Sequence, residues 1–306
     1  MTTISRTDRF HARGTLASGP WDTVVDSSID GWSHTGLRVA ELDGSEVELD
    51  AAAVERLVIP LAGSFEVRWS RDGSEMRQLL TGRASVFDGP TDVLYLPTGQ
   101  AAVIRGAGRV AVAEAPTEVA RPVAYIPAES VPVELRGAGS SSRQVQNFGT
   151  PQVLNAARFI VCEVITPAGN WSSYPAHKHD EHVPGIEAEL EEIYYVETAV
   201  TRGAVAPARA RPFGFIQNYS SGRTDVDTLV EVHTGDVVLV PGGWHGPCVA
   251  APGYDLYYLN VMAGPDPERT WLVTDDPAQA WIRASWADQT IDPRLPYTAT
   301  SGKDIA

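Results

Sequence analysis

Between residues 31 and 122 the chain is cut into short apolar runs by Gly, Pro, Asp and Ser, with almost no apolar recurrence at helical spacing. Leu57-Val58-Ile59-Pro60-Leu61-Ala62-Gly63-Ser64-Phe65-Glu66-Val67-Arg68-Trp69 reads as two strands around a turn at Gly63. Val93-Leu94-Tyr95-Leu96 reads as a strand running into the turn Pro97-Thr98-Gly99. Many short strands at regular spacing build a sandwich or barrel, not alternating βα units. With 306 residues there is enough chain for two domains, each with its own core. Residues 82–87 followed by 93–99 share the outline of 235–243, a weak internal repeat that points to two related barrels. The run Arg136-Gly137-Ala138-Gly139-Ser140-Ser141-Ser142 reads as the linker between them. The expected division is a first barrel over 1–135, a linker over 136–150, and a second barrel with a closing segment over 151–306. In that segment, Asp275-Asp276-Pro277 opens a short helix.

Composition bears on partners and compartment. At 43% hydrophobic and 21% charged residues, the chain has the make-up of a soluble globular protein. A formal net charge of −15 repels phosphate backbones, so no nucleic-acid partner is expected. Residues 1–10 lack the apolar stretch of a secretory signal, and no run reaches the roughly 18 apolar residues of a spanning helix. The expectation is a cytoplasmic protein with no membrane partner. Cys162 and Cys248 lie in apolar surroundings and read as buried free thiols.

The histidines are concentrated in the second half, since the first half has only His11 and His34. Two of them form His177-Lys178-His179, shortly after Gly169 and Pro175. On a strand alternate side chains share a face, so His177 and His179 project together and Lys178 projects away. Two imidazoles on one face are half of a metal site, which a carboxylate and a third imidazole would complete. Glu191-Glu192-Ile193-Tyr194-Tyr195-Val196 offers the carboxylate. Glu191 and Glu192 must face opposite ways, and Glu192 is preferred because it shares a face with Tyr194 and Val196. His245 follows the strand-like segment 235–244. The expected ligands are His177, His179, Glu192 and His245, around a divalent metal: zinc first, with manganese or iron on the same donors. The bland alternative is a surface imidazole pair, with His245 satisfied by its own turn. Asp180 and His182 are within reach of the metal as further candidates, but with Glu181, Glu187 and Glu189 they read as a mobile acidic loop, and His233 as packing.

This pattern resembles the two motifs of the cupin superfamily, small double-stranded β-helix barrels with a metal at the mouth. As a set, the stretches 169–180, Leu190-Glu191-Glu192-Ile193-Tyr194-Tyr195, 235–245 and 252–264 resemble the 5-deoxyglucuronate isomerase family of bacterial myo-inositol catabolism. The related 5-keto-4-deoxyuronate isomerases share the architecture and a His-x-His…Glu…His zinc site. The resemblance covers most of the second half, and the first half fits the family's metal-less barrel in outline. It implies an all-β bicupin, two double-stranded β-helix (jelly-roll) barrels with a short C-terminal helix. It further implies a homodimer or larger homo-oligomer acting on a uronate sugar acid, by conversion of 5-deoxy-D-glucuronate to 5-dehydro-2-deoxy-D-gluconate.

Two departures accompany the resemblance. Where Gln-Arg is expected after Phe213-Gly214-Phe215, the chain has Ile216-Gln217-Asn218-Tyr219-Ser220. Trp244 and Gly246 stand where Tyr and Pro are expected beside the third histidine. Arg209 or Arg211 then becomes the expected carboxylate holder, and Tyr219 and Asn260 join them as candidate substrate contacts. For the proton transfer between two carbons, Tyr194, Tyr258 and Gln217 are candidates because each is expected to point into the barrel. Competing readings on the same scaffold are another uronate isomerase, an iron-dependent dioxygenase, and a sugar-binding bicupin without turnover.

Overall fold

The structure, a computed structural model, describes residues 9–299. Its first half contains β1 (Phe10–His11), β2 (Thr23–Val25), β3 (Gly36–Leu49), β4 (Val54–Arg71), β5 (Ser74–Arg83), β6 (Val93–Leu96), β7 (Ala102–Pro116) and β8 (Ala124–Ile126). Then come β9 (Val133–Arg136), β10 (Arg143–Gly149), β11 (Ile160–Thr166), β12 (Trp171–Ser172), β13 (His177–Lys178), β14 (Asp180–Val183) and β15 (Glu187–Glu189). The last strands are β16 (Glu191–Val200), β17 (Gly214–Tyr219), β18 (Asp227–Val232), β19 (Val237–Val240), β20 (Trp244–Ala250), β21 (Tyr254–Ala263) and β22 (Thr274–Asp275). Among the described residues α-helix is confined to α1 (Ile282–Ser285), and no helix is long and apolar enough to cross a membrane.

One sheet runs β2-β3-β7-β4-β6-β8, with β5 on β4; a second runs β1-β19-β16-β21-β11-β10-β9; a third runs β18-β17-β20-β13-β22. The first two repeat one pattern. β7 lies between β3 and β4 as β21 lies between β11 and β16, and β6 flanks β4 as β19 flanks β16. Register makes the correspondence residue by residue. Arg56 faces Leu96 across β4 and β6, and Glu192 faces Val240 across β16 and β19. Glu55-Arg56 therefore occupies the place of Glu191-Glu192.

The central strands of the second sheet, β11, β16, β19 and β21, are buried on both faces, which is why they read as largely apolar runs. Ile193, Tyr195, Leu239 and Leu259 pack with Leu57, Ile59 and Tyr95 of the first sheet. The alternate residues Tyr194, Val196, Val238 and Tyr258 face the second barrel's interior, while Val58, Leu94 and Leu96 fill the first. Buried carboxylates tie the halves together. Glu55 accepts the backbone N–H groups of Ala157, Arg158 and Phe159 at 2.6, 2.6 and 2.9 Å. Glu191 does the same for Ser33, His34 and Thr35 at 3.2, 2.5 and 2.6 Å. Glu163 in β11 receives both terminal nitrogens of Arg83 at 2.6 Å and the Tyr257 hydroxyl at 2.7 Å.

Three expectations are corrected here. The run expected as two strands around Gly63 is one strand, β4, which bends instead of turning back. Gly63 has φ +92°, and an added Cβ would meet the Ala107 carbonyl oxygen at 1.9 Å, so the backbones close on each other there. The segment expected as a 136–150 linker contains β10, which lies between β9 and β11 in the second sheet. Its Gly/Ser composition suggested solvation, but Ala138, Ser141 and Ser142 are buried, and Ser142 Oγ accepts the Asp292 N–H at 3.0 Å. β1 and β9, from the stretch assigned to the first barrel, pair in the second sheet.

Removing one member of a buried ion pair strands the other. Glu163→Ala is expected to lower the unfolding free energy by about 3–5 kcal/mol, and Glu163→Leu with Arg83→Met to recover most of it, measured by denaturant titration.

Candidate metal centre

β13 with the residue that follows it, β16 and β20 bring four side chains to one point inside the second barrel. His177 lies opposite His245 in register, and the ring nitrogens of His177, His179 and His245 come within 4.8 Å of one another. Glu192 Oε2 is 3.0 Å from Nε2 of His179 and 3.2 Å from Nε2 of His245. Glu191, on the other face of β16, points to the interface between the halves.

Each imidazole is oriented by a backbone carbonyl. Nδ1 lies 2.9 Å from the Leu190 oxygen in His179, 3.1 Å from that of Gly243 in His245, and 3.4 Å from that of Pro175 in His177. A carbonyl only accepts, so Nδ1 carries the proton and Nε2 turns its lone pair inward. Three lone pairs and a carboxylate oxygen then face one another, with His179, Glu192 and His245 buried and His177 half-buried at the wall of a cavity. Nε2 of His245 has no hydrogen-bond partner despite its nearness to Glu192. Acceptors crowded in this way are stable only with a cation or a proton among them. Three imidazoles and one carboxylate, each oriented from behind, are the donor set of a divalent transition metal, so the residues fit such an ion.

Electrostatics point the same way. Burial, then the neighbouring His245 and His179, holds His177 well below its usual pKa, leaving it a neutral donor. Burial also opposes protonation of His179, but the hydrogen bond and charge of Glu192 outweigh it and raise its pKa. Burial pushes Glu192 up, yet His179 and His245 hold it below the usual carboxylate range.

The other candidates divide. Asn260 lines the cavity in front of the cluster, as do Tyr258 and Ser173. The Tyr258 hydroxyl donates to Ser172 Oγ at 3.0 Å, and that of Tyr194 lies 3.3 Å from Ser173 Oγ. Gln217 and Tyr219 do not point into the barrel. In β17 the buried positions are Ile216 and Asn218, so alternation turns Gln217 and Tyr219 outward. Gln217 lines an outer groove with Trp171 and Phe215, and the Tyr219 hydroxyl donates to Asp276. Arg209 and Arg211 are exposed in the connection before β17 and line no part of the cavity.

Asp180 and Glu187, expected in a mobile solvated loop, are buried. Both accept from Lys178, at 2.8 and 2.7 Å, as it projects away from the cluster. Asp180 also accepts the Gly243 N–H at 2.9 Å and thereby holds the turn that presents His245. Hydrogen bonds from Lys178, Ser221 and Gly243 outweigh burial and hold its carboxyl at about 2. Its place beside the His-x-His pair marked it as a candidate ligand, and no sequence signal pointed to its hold on the Gly243 turn. The departures beside His245 have local reasons: Trp244 stacks on the Lys178 ammonium, and a Cβ at Gly246, φ +86°, would lie 1.8 Å from the Ser173 carbonyl oxygen. His233 packs, with Nδ1 2.8 Å from the Pro212 carbonyl.

Comparison with known proteins agrees with this architecture. The family described as KduI/IolB matches residues 10–282. The 5-deoxy-glucuronate isomerase of Geobacillus thermodenitrificans is 35% identical over 264 residues, 83% of this chain and 88% of that protein. That of Shouchella clausii is 38% identical over 253 residues, 81% and 88% of the two chains. A crystal structure of an IolB-like protein from Salmonella typhimurium LT2 superposes with a TM-score of 0.78 at 33% identity, covering 89% of this chain and 98% of the other. An oxalate decarboxylase of Lactobacillus farciminis shares the fold alone, with a TM-score of 0.55 at 10% identity over 82% of each chain.

Removing an outer hydrogen bond to a ligand-bearing turn costs about 10- to 100-fold in metal affinity, and removing a ligand costs more. Asp180→Asn is expected to weaken zinc binding by that factor, and His179→Ala to exceed it, both read by competition with a chromogenic chelator. Circular dichroism should show both variants folded.

Proposed function

This chain belongs to the KduI/IolB family and is an isomerase, and we propose that it converts 5-deoxy-D-glucuronate to 5-dehydro-2-deoxy-D-gluconate in inositol catabolism. What carries the reading is the coincidence of the inward-facing His and Glu cluster with relatives of that name aligned over 83% of the chain. Held by His177, His179, His245 and Glu192, a divalent ion, zinc first on donor type, would supply Lewis acidity toward a carbonyl and its neighbouring hydroxyl.

The reaction moves a proton from C2 to C1 and another from the C2 hydroxyl to the C1 oxygen, through an enediolate. A cavity of about 480 Å³ in front of the cluster suits a six-carbon acid. Tyr258 and Ser173 line it. Burial holds the phenols of Tyr194 and Tyr258 well above their usual pKa. Both stay protonated at neutral pH, which rules them out as the base, and the Tyr258 proton is engaged by Ser172 Oγ. The side-chain oxygen of Asn260 is buried without a partner and can accept from a sugar hydroxyl.

Purified protein should form the ketose from 5-deoxy-D-glucuronate, followed by proton NMR. Chelation should abolish turnover, zinc or manganese should restore it, and His177→Ala should lower kcat/KM at least about 100-fold. Full metal loading without ketose formation would refute the proposal.

A further inference from the structure

The cavity in front of His177 and Glu192 has another wall of opposite character. Arg136 of β9, Arg143 of β10 and Arg283 of α1 line it. Arg136 and Arg143 are direct cross-strand partners, a placement in which like charges repel. Arg136 is relieved by Glu134 at 2.8 Å, and Arg283 by a two-pronged pair with Asp275. Arg143 has no such relief. Only 7% of it is exposed, and no carboxylate among the described residues pairs with it. Nη1 donates to the Ser141 carbonyl at 3.1 Å, and the guanidinium stacks on Trp286, 5.5 Å from the ring centroid. Burial pushes its pKa down to about 10, with Arg136 and Arg283 adding to the push, and it remains a cation at neutral pH. A buried cation with two like charges nearby, held by one backbone carbonyl and a ring face and by no carboxylate of its own, is a burden on folding that these contacts offset only in part.

We infer that Arg143 is the anion-binding group of this cavity and takes the carboxylate of a sugar acid whose carbonyl end lies at His177 and Glu192. The inference rests on the isomerase reading for that carbonyl end and adds how the cavity selects acids over neutral sugars. The carboxylate and aldehyde of 5-deoxy-D-glucuronate sit at opposite ends of a six-carbon chain, about 6 Å apart when extended. One uncommitted guanidinium offers a planar fork that matches a single carboxylate, while the two flanking arginines already hold carboxylates. Arg143 is thus a specificity-determining residue.

The test compares wild type with Arg143→Ala, Arg143→Lys and Arg143→Met. Calorimetric binding of D-gluconate, a six-carbon acid with no carbonyl to isomerise, should weaken about 10- to 100-fold in Arg143→Ala, with partial recovery in Arg143→Lys. The kcat/KM preference for 5-deoxy-D-glucuronate over the uncharged 5-deoxy-D-glucose should shrink by the same factor, mainly through KM. The melting temperature of Arg143→Met should equal or exceed that of wild type, because an unpaired buried charge is removed. Unchanged gluconate affinity overturns the inference. So do equal losses for acid and neutral sugar, or a melting temperature that falls together with binding. Wild type that binds gluconate through Arg143 yet turns over no 5-deoxy-D-glucuronate would leave the anion site standing and sink the isomerase reading.

Discussion

Four acceptor atoms converge inside the second barrel, and the surrounding structure is arranged to hold that unfavourable grouping together. Backbone carbonyls of Pro175, Leu190 and Gly243 each take an Nδ1 proton, so the imidazoles are fixed in rotation and tautomer before any ion arrives. Asp180 pins the Gly243 turn from behind, and the short separation between strands β13 and β20 keeps His177 beside His245. The wall that carries Glu192, β16, is packed on its outer face against the first barrel, which holds the carboxylate rigidly in place. The cost of the grouping is what makes it selective for a cation.

The same sheet geometry recurs in the first half with a different electrostatic solution. Arg56 takes the register position of Glu192 and donates to Glu114 at 2.7 Å and to the backbone carbonyls of Asp50 and Gln100 at 2.8 and 3.1 Å. The positive charge is therefore covalently built in, where the second barrel presents an open set of donors. Glu55 and Glu191, one residue earlier, keep the same job in both halves and reach across the interface to cap backbone N–H groups. The repeat has preserved what joins the two halves and diverged in what each half contains.

The cavity joins two charged walls: the Glu192 side, suited to a cation and a polarised carbonyl, and the arginine side, suited to a carboxylate. An acyclic sugar acid has those two features at its two ends. Binding energy collected at the carboxylate end orients the other end against the reacting site, which is how a remote group contributes to rate.

Much of this was legible in the sequence, and the rest has a physical reason for being hidden. Punctuation by Gly and Pro gave the all-β class, and strand alternation alone put His177 with His179 and separated Glu192 from Glu191, because side-chain direction along one strand is a local property. Alternation also separated Gln217 from Asn218, but it does not say which of them is inside. That depends on which face of β17 packs against the rest of the barrel, and the burial of Ile216 and Asn218 shows it. Arg143 was hidden more deeply, at the edge of a Gly/Ser run that reads as a solvated linker. Its burial comes from partners far along the chain, β9, β11 and the segment around Trp286, and composition carries no record of what a segment packs against. The sequence determined which groups could share a face; only the tertiary structure decided which faces close around a common space, because that depends on contacts between residues distant in the chain.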